Sequence, residues 1–252
     1  MPALDSKERF SDRVKNYVLF RPSYPADAID CLVNYCALTP TSVIADIGSG
    51  TGKLAELILS RGFTVHAVEP NANMRNAAEK SLLPFSGFYS VPASAEATSL
   101  PAQSIDLITA AQAFHWFDRT ACKREWQRIL KPGGHVALIW NRRQKSPGFM
   151  AEYEEVIHLW CAELPNVTHN KITDAVFKEI FDGGYTLHTF PWQQTFNFAA
   201  LWGRAQSSSY SPLPGHPYHE PLKNALQKLF TQYQKDGFVP FEYQTQLVLG
   251  KL

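Results

Sequence analysis

The stretch VIADIGSGTGKL (Val43–Leu54) combines three local patterns that together decide the fold class. An apolar, largely β-branched run includes Asp46, three glycines then alternate with other residues, and a helical pattern begins at Leu54. Strand, glycine turn and helix in this order let the backbone approach a nucleotide-like ligand closely. The dinucleotide fingerprint G-x-G-x-x-G would place its third glycine at position 53, where this chain has Lys53. The stretch therefore predicts an α/β ligand-binding turn with a different glycine spacing.

The spacing that is present, D-x-G-x-G-x-G from Asp46 to Gly52, resembles motif I of the class I S-adenosylmethionine-dependent methyltransferases. S-adenosylmethionine has no phosphate, and its amino-acid end carries an ammonium and a carboxylate group. The resemblance implies S-adenosylmethionine as cofactor and S-adenosylhomocysteine as product. It places Asp46 at the ammonium and implies further contacts from Gly48, Ser49, Gly50 and Gly52. The alternative is a glycine-rich turn of another α/β protein, including one that binds a nicotinamide cofactor.

Composition limits the class of protein and its partners. The 252 residues carry a net charge of +1 and 45% hydrophobic side chains, which suits one large α/β domain. A net charge near zero argues against a nucleic-acid partner. No stretch of the sequence approaches the roughly 20 consecutive apolar residues of a membrane span. The polar N-terminus is not that of a signal peptide, and the four cysteines form no Cys-x-x-Cys metal motif. We expect a soluble, cytoplasmic monomer or homodimer that acts on a small molecule, without metal, membrane or nucleic acid.

The segment from Phe10 to Pro25 contains two prolines that interrupt a helix, so we expect a short helix followed by an extended arm. Its pattern Phe…Tyr…Arg-Pro-x-Tyr-Pro resembles small-molecule methyltransferases related to trans-aconitate methyltransferase. The resemblance implies a lid over the cofactor, with Tyr17 and Arg21 near the methionine end and Tyr24 in the substrate pocket. The alternative is that these aromatic residues only cover the edge of the sheet.

An acidic residue, Glu69, follows the second predicted strand, Thr64 to Val68. It stands about 20 residues after the first glycine, where a ribose diol needs an acceptor for two hydroxyl donors. The adjacent Pro70 is expected at the same place, and the alternative for Glu69 is a solvated acid. In the methyltransferase family the end of the third strand meets adenine, and the resemblance assigns this contact to Ala95 and Glu96.

The segment AQAFHWFD (Ala111–Asp118) follows the fourth predicted strand. In the fold that the resemblance implies, this strand ends beside the sulfonium of the cofactor, so Gln112 and Ala113 are expected to contact it. Aromatic faces attract a positive sulfur, and His115 could accept a proton from a substrate hydroxyl, amine or carbon acid. Trp116 is expected in the substrate pocket. The alternative is that the aromatic residues belong to the core and that His115 is a structural residue.

The order of the predicted elements, together with the resemblance, implies an α/β fold. The expected sheet is doubly wound and Rossmann-like, with seven strands, three α/β/α layers and helical insertions. A turn at Lys131–Gly134 leads into the fifth strand, His135 to Trp140, and the last strand, Phe241 to Leu249, is expected to be antiparallel. We expect a single domain over 1–252, made of an N-terminal arm and helix (1–37), a cofactor-binding core (38–141) and a C-terminal half with the substrate-pocket insertions and last strands (142–252).

Three arginines are available to define the acceptor. Arg21, Arg142 and Arg143 could hold a carboxylate, because a guanidinium pairs with a carboxylate in a bidentate way. The other residues expected in the pocket are Asn141, Ser208 and Tyr210. The predicted activity is transfer of a methyl group to a small-molecule acceptor, a carboxylate or a hydroxyl, by in-line displacement. An NAD-dependent oxidoreductase and a methyltransferase-fold binding protein without turnover are the alternatives.

Overall fold

The computed structural model describes residues 18–161 and 172–252, and its centre is a seven-stranded sheet. The strands are Val43–Ile47 (β1), Thr64–Val68 (β2), Phe88–Val91 (β3), Ile105–Ala111 (β4), Leu130–Arg143 (β5), Tyr185–Phe196 (β6) and Val239–Gly250 (β7). Their order across the sheet is β3-β2-β1-β4-β5-β7-β6. Strands β1 to β5 are parallel, whereas β7 is antiparallel to both of its neighbours. The predicted α/β class with an antiparallel last strand is confirmed.

Helices cover both faces of this sheet. They are Ala26–Tyr35 (α1), Lys53–Leu59 (α2), Ala72–Leu82 (α3), Arg119–Ile129 (α4), Phe149–Trp160 (α5), Asp174–Ile180 (α6), Phe198–Gln206 (α7) and His219–Tyr233 (α8). Successive strand residues point to opposite faces. Leu138 of β5 accordingly packs in the apolar cluster that contains α4 and α6, and Ile139 in the cluster that contains α1, α2 and α3. The three predicted layers are therefore present.

A third apolar cluster involves the end of the sheet where the parallel strands finish. It contains Phe149 of α5, Leu201 of α7 and Leu226 of α8, packed against Phe196 of β6 and Phe241 of β7. Because β7 is antiparallel, its first residues lie beside the last residues of β5. The predicted helical insertions thus stand next to the carboxyl ends of the parallel strands.

Strand β5 differs from its prediction at both ends. The sequence predicts a turn at 131–134 and a strand over 135–140, but the structure assigns one strand from Leu130 to Arg143. Pairing with β4 is irregular around the Pro-Gly-Gly segment, which interrupts the ladder without ending the strand. Beyond Trp140, β5 continues to pair with β7, and the last pair is Arg143 with Tyr243. This extension carries two arginines past the end of β4.

The N-terminal arm agrees with its prediction where it is described. Residues 18–20 are helical and residues 22–25 have no regular structure. The expected helix from Phe10 lies otherwise outside the described residues. Phe20 lies directly against α7, where it leaves no room for a side chain on Gly203. The arm is therefore packed against the third apolar cluster.

Within 18–161 and 172–252, no helix is long and apolar enough to cross a membrane. In the same ranges, no group of three or more His, Cys, Asp or Glu side chains is arranged to hold a metal ion.

Candidate active site

Two adjoining cavities lie at the carboxyl ends of β1, β2 and β4, where open α/β sheets bind their ligands. The larger has a volume of about 340 Å³ and the smaller about 120 Å³. Four residues line both cavities: Gly48, Ala111, Gln112 and Trp116. The two cavities therefore form one elongated site with a narrow middle.

The glycine turn between β1 and α2 forms part of the narrow middle. Gly50 has φ +58°, and a Cβ added to it would meet no atom within 4 Å. Gly52 has φ +82°, but its Cβ would lie 2.6 Å from Leu82 Cδ1, so this glycine allows α2 to pack against α3. Gly50 faces open space beside the smaller cavity, whereas Gly52 has a packing role and lines neither cavity.

Asp46 is the most deeply buried acidic residue of the site, with an exposed fraction of 1%. The Thr109 hydroxyl donates a 2.8 Å hydrogen bond to Asp46 Oδ1, while Oδ2 has no hydrogen-bond partner among the described residues. Burial raises the pKa of Asp46 to about 7; the Thr109 hydrogen bond opposes this rise and the nearby Glu69 charge adds to it. A buried carboxylate oxygen without a partner is suited to a cationic group such as an ammonium.

Two hydroxyl groups extend this set of unpartnered atoms. Ser49 Oγ and Thr51 Oγ1 are buried, and neither has a hydrogen-bond partner in the part of the chain that the structure describes. Both residues line the larger cavity together with Asp46. A carboxylate and two hydroxyl groups in one place fit a ligand end that carries both an ammonium and a carboxylate. The site therefore fits the amino-acid end of S-adenosylmethionine.

Glu69 stands at the end of β2 and lines the smaller cavity. Its Oε2 accepts a 2.9 Å hydrogen bond from the Gly50 N–H, and its Oε1 accepts one of 2.8 Å from the Asn71 N–H. Burial raises the pKa of Glu69 although both N–H groups oppose the rise. Each carboxylate oxygen has a second lone pair, so Glu69 retains the capacity to accept two ribose hydroxyl groups.

Gln112 occupies the junction of the two cavities in an uncommon backbone conformation. Its φ is +57°, a left-handed value that costs a non-glycine residue roughly 1–2 kcal/mol. The Gln112 N–H donates a 2.8 Å hydrogen bond to the carbonyl of Ile139, which holds the turn against β5. Such strain concentrates at functional sites. His115 follows on a one-turn 3₁₀ helix, Phe114–Trp116, and its ring lies 4.9 Å from that of Trp116, centroid to centroid.

The end of β5 lines the larger cavity because β4 stops opposite Ile139 and leaves the next residues without a neighbour on that side. Asn141 Nδ2 donates a 2.9 Å hydrogen bond to the Ser23 carbonyl, which connects the sheet to the N-terminal arm. Arg142 Nε donates to Gln246 Oε1 at 3.1 Å, and Arg142 forms no ion pair with a described carboxylate. Burial lowers the pKa of Arg142. This guanidinium is available for an anion in the cavity.

The two cavities bring together most of the predicted site residues. The larger is lined by Arg21, Tyr24, Asp46, Gly48, Ser49, Gln112, His115, Trp116, Asn141, Arg142, Arg143 and Tyr210. The smaller is lined by Gly48, Gly50, Glu69, Pro70, Ala95, Glu96, Gln112, Ala113 and Trp116. Gly52 and Ser208 line neither cavity; Ser208 is buried and accepts a hydrogen bond from Arg204. Tyr17 lies outside the described residues.

Sequence reasoning missed Arg204, Glu154 and Trp140 as residues of the larger cavity. Arg204 is in the last turn of α7. A basic residue there is ordinarily expected to be exposed to solvent and to interact favourably with the helix dipole. Glu154 is on α5, and likewise nothing in the neighbouring sequence indicates that it lines the cavity. Trp140 is the last residue of the predicted fifth strand, and its apolar character alone assigns it to the core.

Comparison with known proteins is consistent with this geometry. Residues 45–138 match a methyltransferase domain family. An uncharacterized methyltransferase of Mycobacterium bovis is 36% identical over 153 residues, which cover 61% of this chain and 60% of that protein. One from Schizosaccharomyces pombe is 32% identical over 149 residues, covering 59% and 58%. The chain thus aligns with about three fifths of the length of these curated relatives.

A solved structure shows the same fold. A provisionally assigned type II methyltransferase of Anaeromyxobacter dehalogenans superposes with a TM-score of 0.69, at 22% identity, over 92% of this chain and 98% of that one. Residues 45–138 thus match a methyltransferase domain, and the chain has the fold of a solved methyltransferase. A methyltransferase domain of this fold implies S-adenosylmethionine as the methyl donor.

Proposed function

We propose that the protein transfers a methyl group from S-adenosylmethionine to a small acidic acceptor. The observation that carries the proposal is the charge of the larger cavity. Its described lining contains six basic side chains, Arg21, Lys53, Arg142, Arg143, Lys145 and Arg204, against two acidic ones, Asp46 and Glu154. A concave site with this excess of positive charge attracts an anion.

The cofactor would span the two cavities. Glu69, with Ala95 and Glu96 beside it, would hold the adenosine part in the smaller cavity. Asp46 Oδ2 would accept from the ammonium group in the larger one, and the hydroxyls of Ser49 and Thr51 would donate to the carboxylate. This arrangement gives each unpartnered polar atom of the glycine turn a partner.

When bound, S-adenosylmethionine supplies a methyl group on a positively charged sulfur that is already a good leaving group. An acceptor oxygen would take the methyl group as the carbon–sulfur bond breaks, and the electron pair of that bond would stay on sulfur. The protein therefore has to align the reactants at ~3–3.5 Å, which is worth up to roughly 7–11 kcal/mol. Arg142 and its neighbours would position the acceptor for this approach.

His115 is proposed as the base for an acceptor that carries a proton. It lines the larger cavity beside the junction, and an imidazole nitrogen can accept a proton. A hydroxyl acceptor would release its proton to His115, and His115→Gln would then lower the rate by roughly 10²–10⁴-fold and remove the acidic limb of the pH profile. A carboxylate acceptor has no proton to lose, so the variant would keep the wild-type pH profile.

The proposal is tested by measuring S-adenosylhomocysteine formation with S-adenosylmethionine and a panel of small carboxylic acids, hydroxy acids and phenols, each beside its neutral amide or ether. We expect turnover with acidic members and little with neutral ones. Calorimetry with S-adenosylmethionine and with NADH separates the cofactors, and binding of NADH alone would favour the oxidoreductase. Cofactor binding without turnover on any acid would support a silent binding protein and contradict the proposed activity.

A further inference from the structure

Two guanidiniums and one carboxylate lie together in the wall of the larger cavity. Arg204 has an exposed fraction of 3%, and the side chains of Arg143 and Glu154 are 17% and 12% exposed. Arg143 pairs with Glu154 through Nε and, at 3.2 Å, through Nη2. We call Arg143, Glu154 and Arg204 the arginine cluster. It holds one more positive than negative charge, and a charge removed from water is costly unless a counter-charge pairs with it.

Tyr210 supplies a group that can carry the missing negative charge. Arg143 Nη1 donates a 2.5 Å hydrogen bond to the phenolic oxygen of Tyr210. Arg204 Nη1 donates at 3.1 Å to Ser208 Oγ, and a hydrogen bond between the Ser208 and Tyr210 hydroxyl groups continues this chain. One phenolic oxygen is thus connected to both guanidiniums. Loss of the Tyr210 proton would make this residue and the arginine cluster neutral as a unit.

Three tyrosine hydroxyl groups surround the two guanidiniums, and their environments differ. The Tyr243 hydroxyl accepts a 2.9 Å hydrogen bond from Arg204 Nε, whereas the Tyr153 hydroxyl has no hydrogen-bond partner among the described residues. Burial raises the pKa of Tyr153, and the positive charge of Arg143 does not offset this rise. Burial also raises the pKa of Tyr210, but the two guanidiniums and the two hydrogen bonds outweigh burial and lower this pKa from its usual value. Of the three tyrosines, Tyr210 alone lines the larger cavity.

The cavity places Tyr210 beside the expected position of the acceptor. Its volume is about 340 Å³, and the methionine end of the cofactor would take the part next to the glycine turn. A small acceptor in the remaining space would lie between the cofactor and Tyr210. The basic excess of the wall also favours a negative charge on Tyr210. The other ionisable side chains of the described lining are Arg21, Tyr24, Asp46, Lys53, His115, Arg142, Lys145 and His158.

From this arrangement we infer that Tyr210, as a phenolate, accepts the proton of an acceptor hydroxyl during methyl transfer. The O–H bond of the acceptor breaks, and its proton passes to the Tyr210 oxygen. The electron pair left on the acceptor oxygen forms the bond to the methyl carbon, and the pair of the carbon–sulfur bond stays on sulfur. After the product leaves, the neutral phenol returns the proton to water. The inference rests on the proposed function and adds a second proton acceptor to it.

Tyr210 and His115 are bases of different strength, which separates their roles. The usual pKa is about 10 for a phenol and about 6.5 for an imidazole, so a phenolate is ordinarily the stronger base. A stronger base takes the proton of a weakly acidic hydroxyl at a smaller cost in free energy. We therefore expect Tyr210 to act on phenols and alcohols, and His115 to act on acceptors whose proton is more acidic.

The ionisation of Tyr210 can be tested without a substrate, because phenolate and phenol differ in near-ultraviolet absorption. In a pH titration of the wild type, we expect one phenolate to form below the usual phenol value of about 10. It should be missing from Tyr210→Phe and present in Tyr153→Phe, the matched control, which removes a neighbouring hydroxyl without a hydrogen-bond partner. Arg204→Gln should move the transition to higher pH, because it removes one positive charge. Identical titrations of wild type and Tyr210→Phe would overturn the inference.

The catalytic role is tested by S-adenosylhomocysteine formation with the phenols, hydroxy acids and carboxylic acids of the acceptor panel. On a phenol, Tyr210→Phe should lower kcat by roughly 10²–10⁴-fold and remove the acidic limb of the pH profile. On a carboxylate, which has no proton to lose, the rate should be unchanged. Tyr153→Phe should keep the wild-type rates and pH profile on both.

An equal loss of rate on phenols and carboxylates would show that Tyr210 only shapes the cavity, and would overturn the inference. So would the absence of turnover on every hydroxyl acceptor. Thermal melting checks the folding of each variant. If Tyr210→Phe does not fold, Arg204→Gln decides, since a pH limb and a spectroscopic transition that stay at their wild-type positions contradict the inference. Continued methylation of carboxylates would leave the proposed function standing in each of these cases, whereas a wild type that does not bind S-adenosylmethionine would contradict that function itself.

Discussion

The two halves of the site bury charges of opposite sign. At the carboxyl ends of β1 and β2 the buried side chains are acidic, Asp46 and Glu69. Along the end of β5 and on α7 the side chains that line the site are basic: Arg204 is buried and Arg142 is half-buried. S-adenosylmethionine is cationic at its sulfur and ammonium, so the acidic half suits the cofactor and the basic half suits an anionic acceptor. Under the proposed function, the two ligands would be separated by charge before any chemistry occurs.

The largest expected effect comes from Asp46→Asn. It removes the negative charge that would face the ammonium group, and breaking such a buried pair costs about 3–5 kcal/mol. We expect calorimetry at pH 8 to show S-adenosylmethionine affinity reduced by about 100-fold or more. Asp30→Asn, which changes an exposed ion pair with Arg61, is the control and should bind normally. Unchanged affinity of Asp46→Asn would remove Asp46 from the cofactor site.

The converse change in the basic half is Arg142→Gln. Loss of a charged hydrogen-bond donor is worth roughly 1.5–3 kcal/mol, so KM for an acidic acceptor should rise by about 10- to 100-fold. The affinity for S-adenosylmethionine should stay the same, because Arg142 would contact only the acceptor. Steady-state kinetics and calorimetry on the same preparation measure both quantities. A change in cofactor affinity of the same size would show that the two halves do not act separately.

A smaller effect is expected from Gly50→Ala, and Gly62→Ala serves as its matched control. Both glycines have positive φ, +58° and +85°, and neither added Cβ would meet an atom within 4 Å. The backbone strain should therefore be similar, about 1–2 kcal/mol in the free energy of unfolding. Only Gly50 lines a cavity, so only Gly50→Ala should weaken cofactor binding, by about tenfold for a methyl group that overlaps the ligand. Equal cofactor affinities of the two variants would contradict the role of Gly50.

The last effect concerns stability in the absence of ligand rather than ligand binding. Burial raises the pKa of Asp46 from its ordinary 3.8 to about 7, so between these values the folded state holds a proton that the unfolded state has lost. The Asp46 contribution to stability therefore falls as pH rises from about 4 to 7 and stays low above it. Asp46→Asn should raise the melting temperature more at pH 8 than at pH 4, by ~2–4 °C for each kcal/mol. A difference between the two proteins that does not change with pH would contradict the raised pKa.

The acidic half could be predicted from the sequence because its residues follow strand ends within a short stretch of chain. Val43–Ile47 and Thr64–Val68 are apolar runs with acidic residues at their ends, and parallel strands bring those ends to one edge. Asn71 directly follows Pro70 and caps the next helix, since its side chain accepts a 3.0 Å hydrogen bond from the Met74 N–H. Local patterns of this kind predict both the strand itself and the place in the sheet of the side chain at its end.

The basic half could be predicted only in part. Arg204 lies on the helix Phe198–Gln206, and nothing in the local sequence shows that its side chain is buried. Its position depends on Tyr243, 39 residues later, and on the extension of β5 to Arg143, which exists because β7 continues to pair there. Contacts between distant parts of the chain leave no periodic signal in either part.

A crystal structure of the protein with S-adenosylhomocysteine tests the separation of the two ligands most directly. The account predicts the ammonium group within hydrogen-bond distance of Asp46 Oδ2 and the ribose hydroxyls at Glu69. It also predicts that the sulfur faces the larger cavity, toward Arg142 and Arg204. An ammonium group that is not at Asp46, or a sulfur directed away from these arginines, would contradict the account.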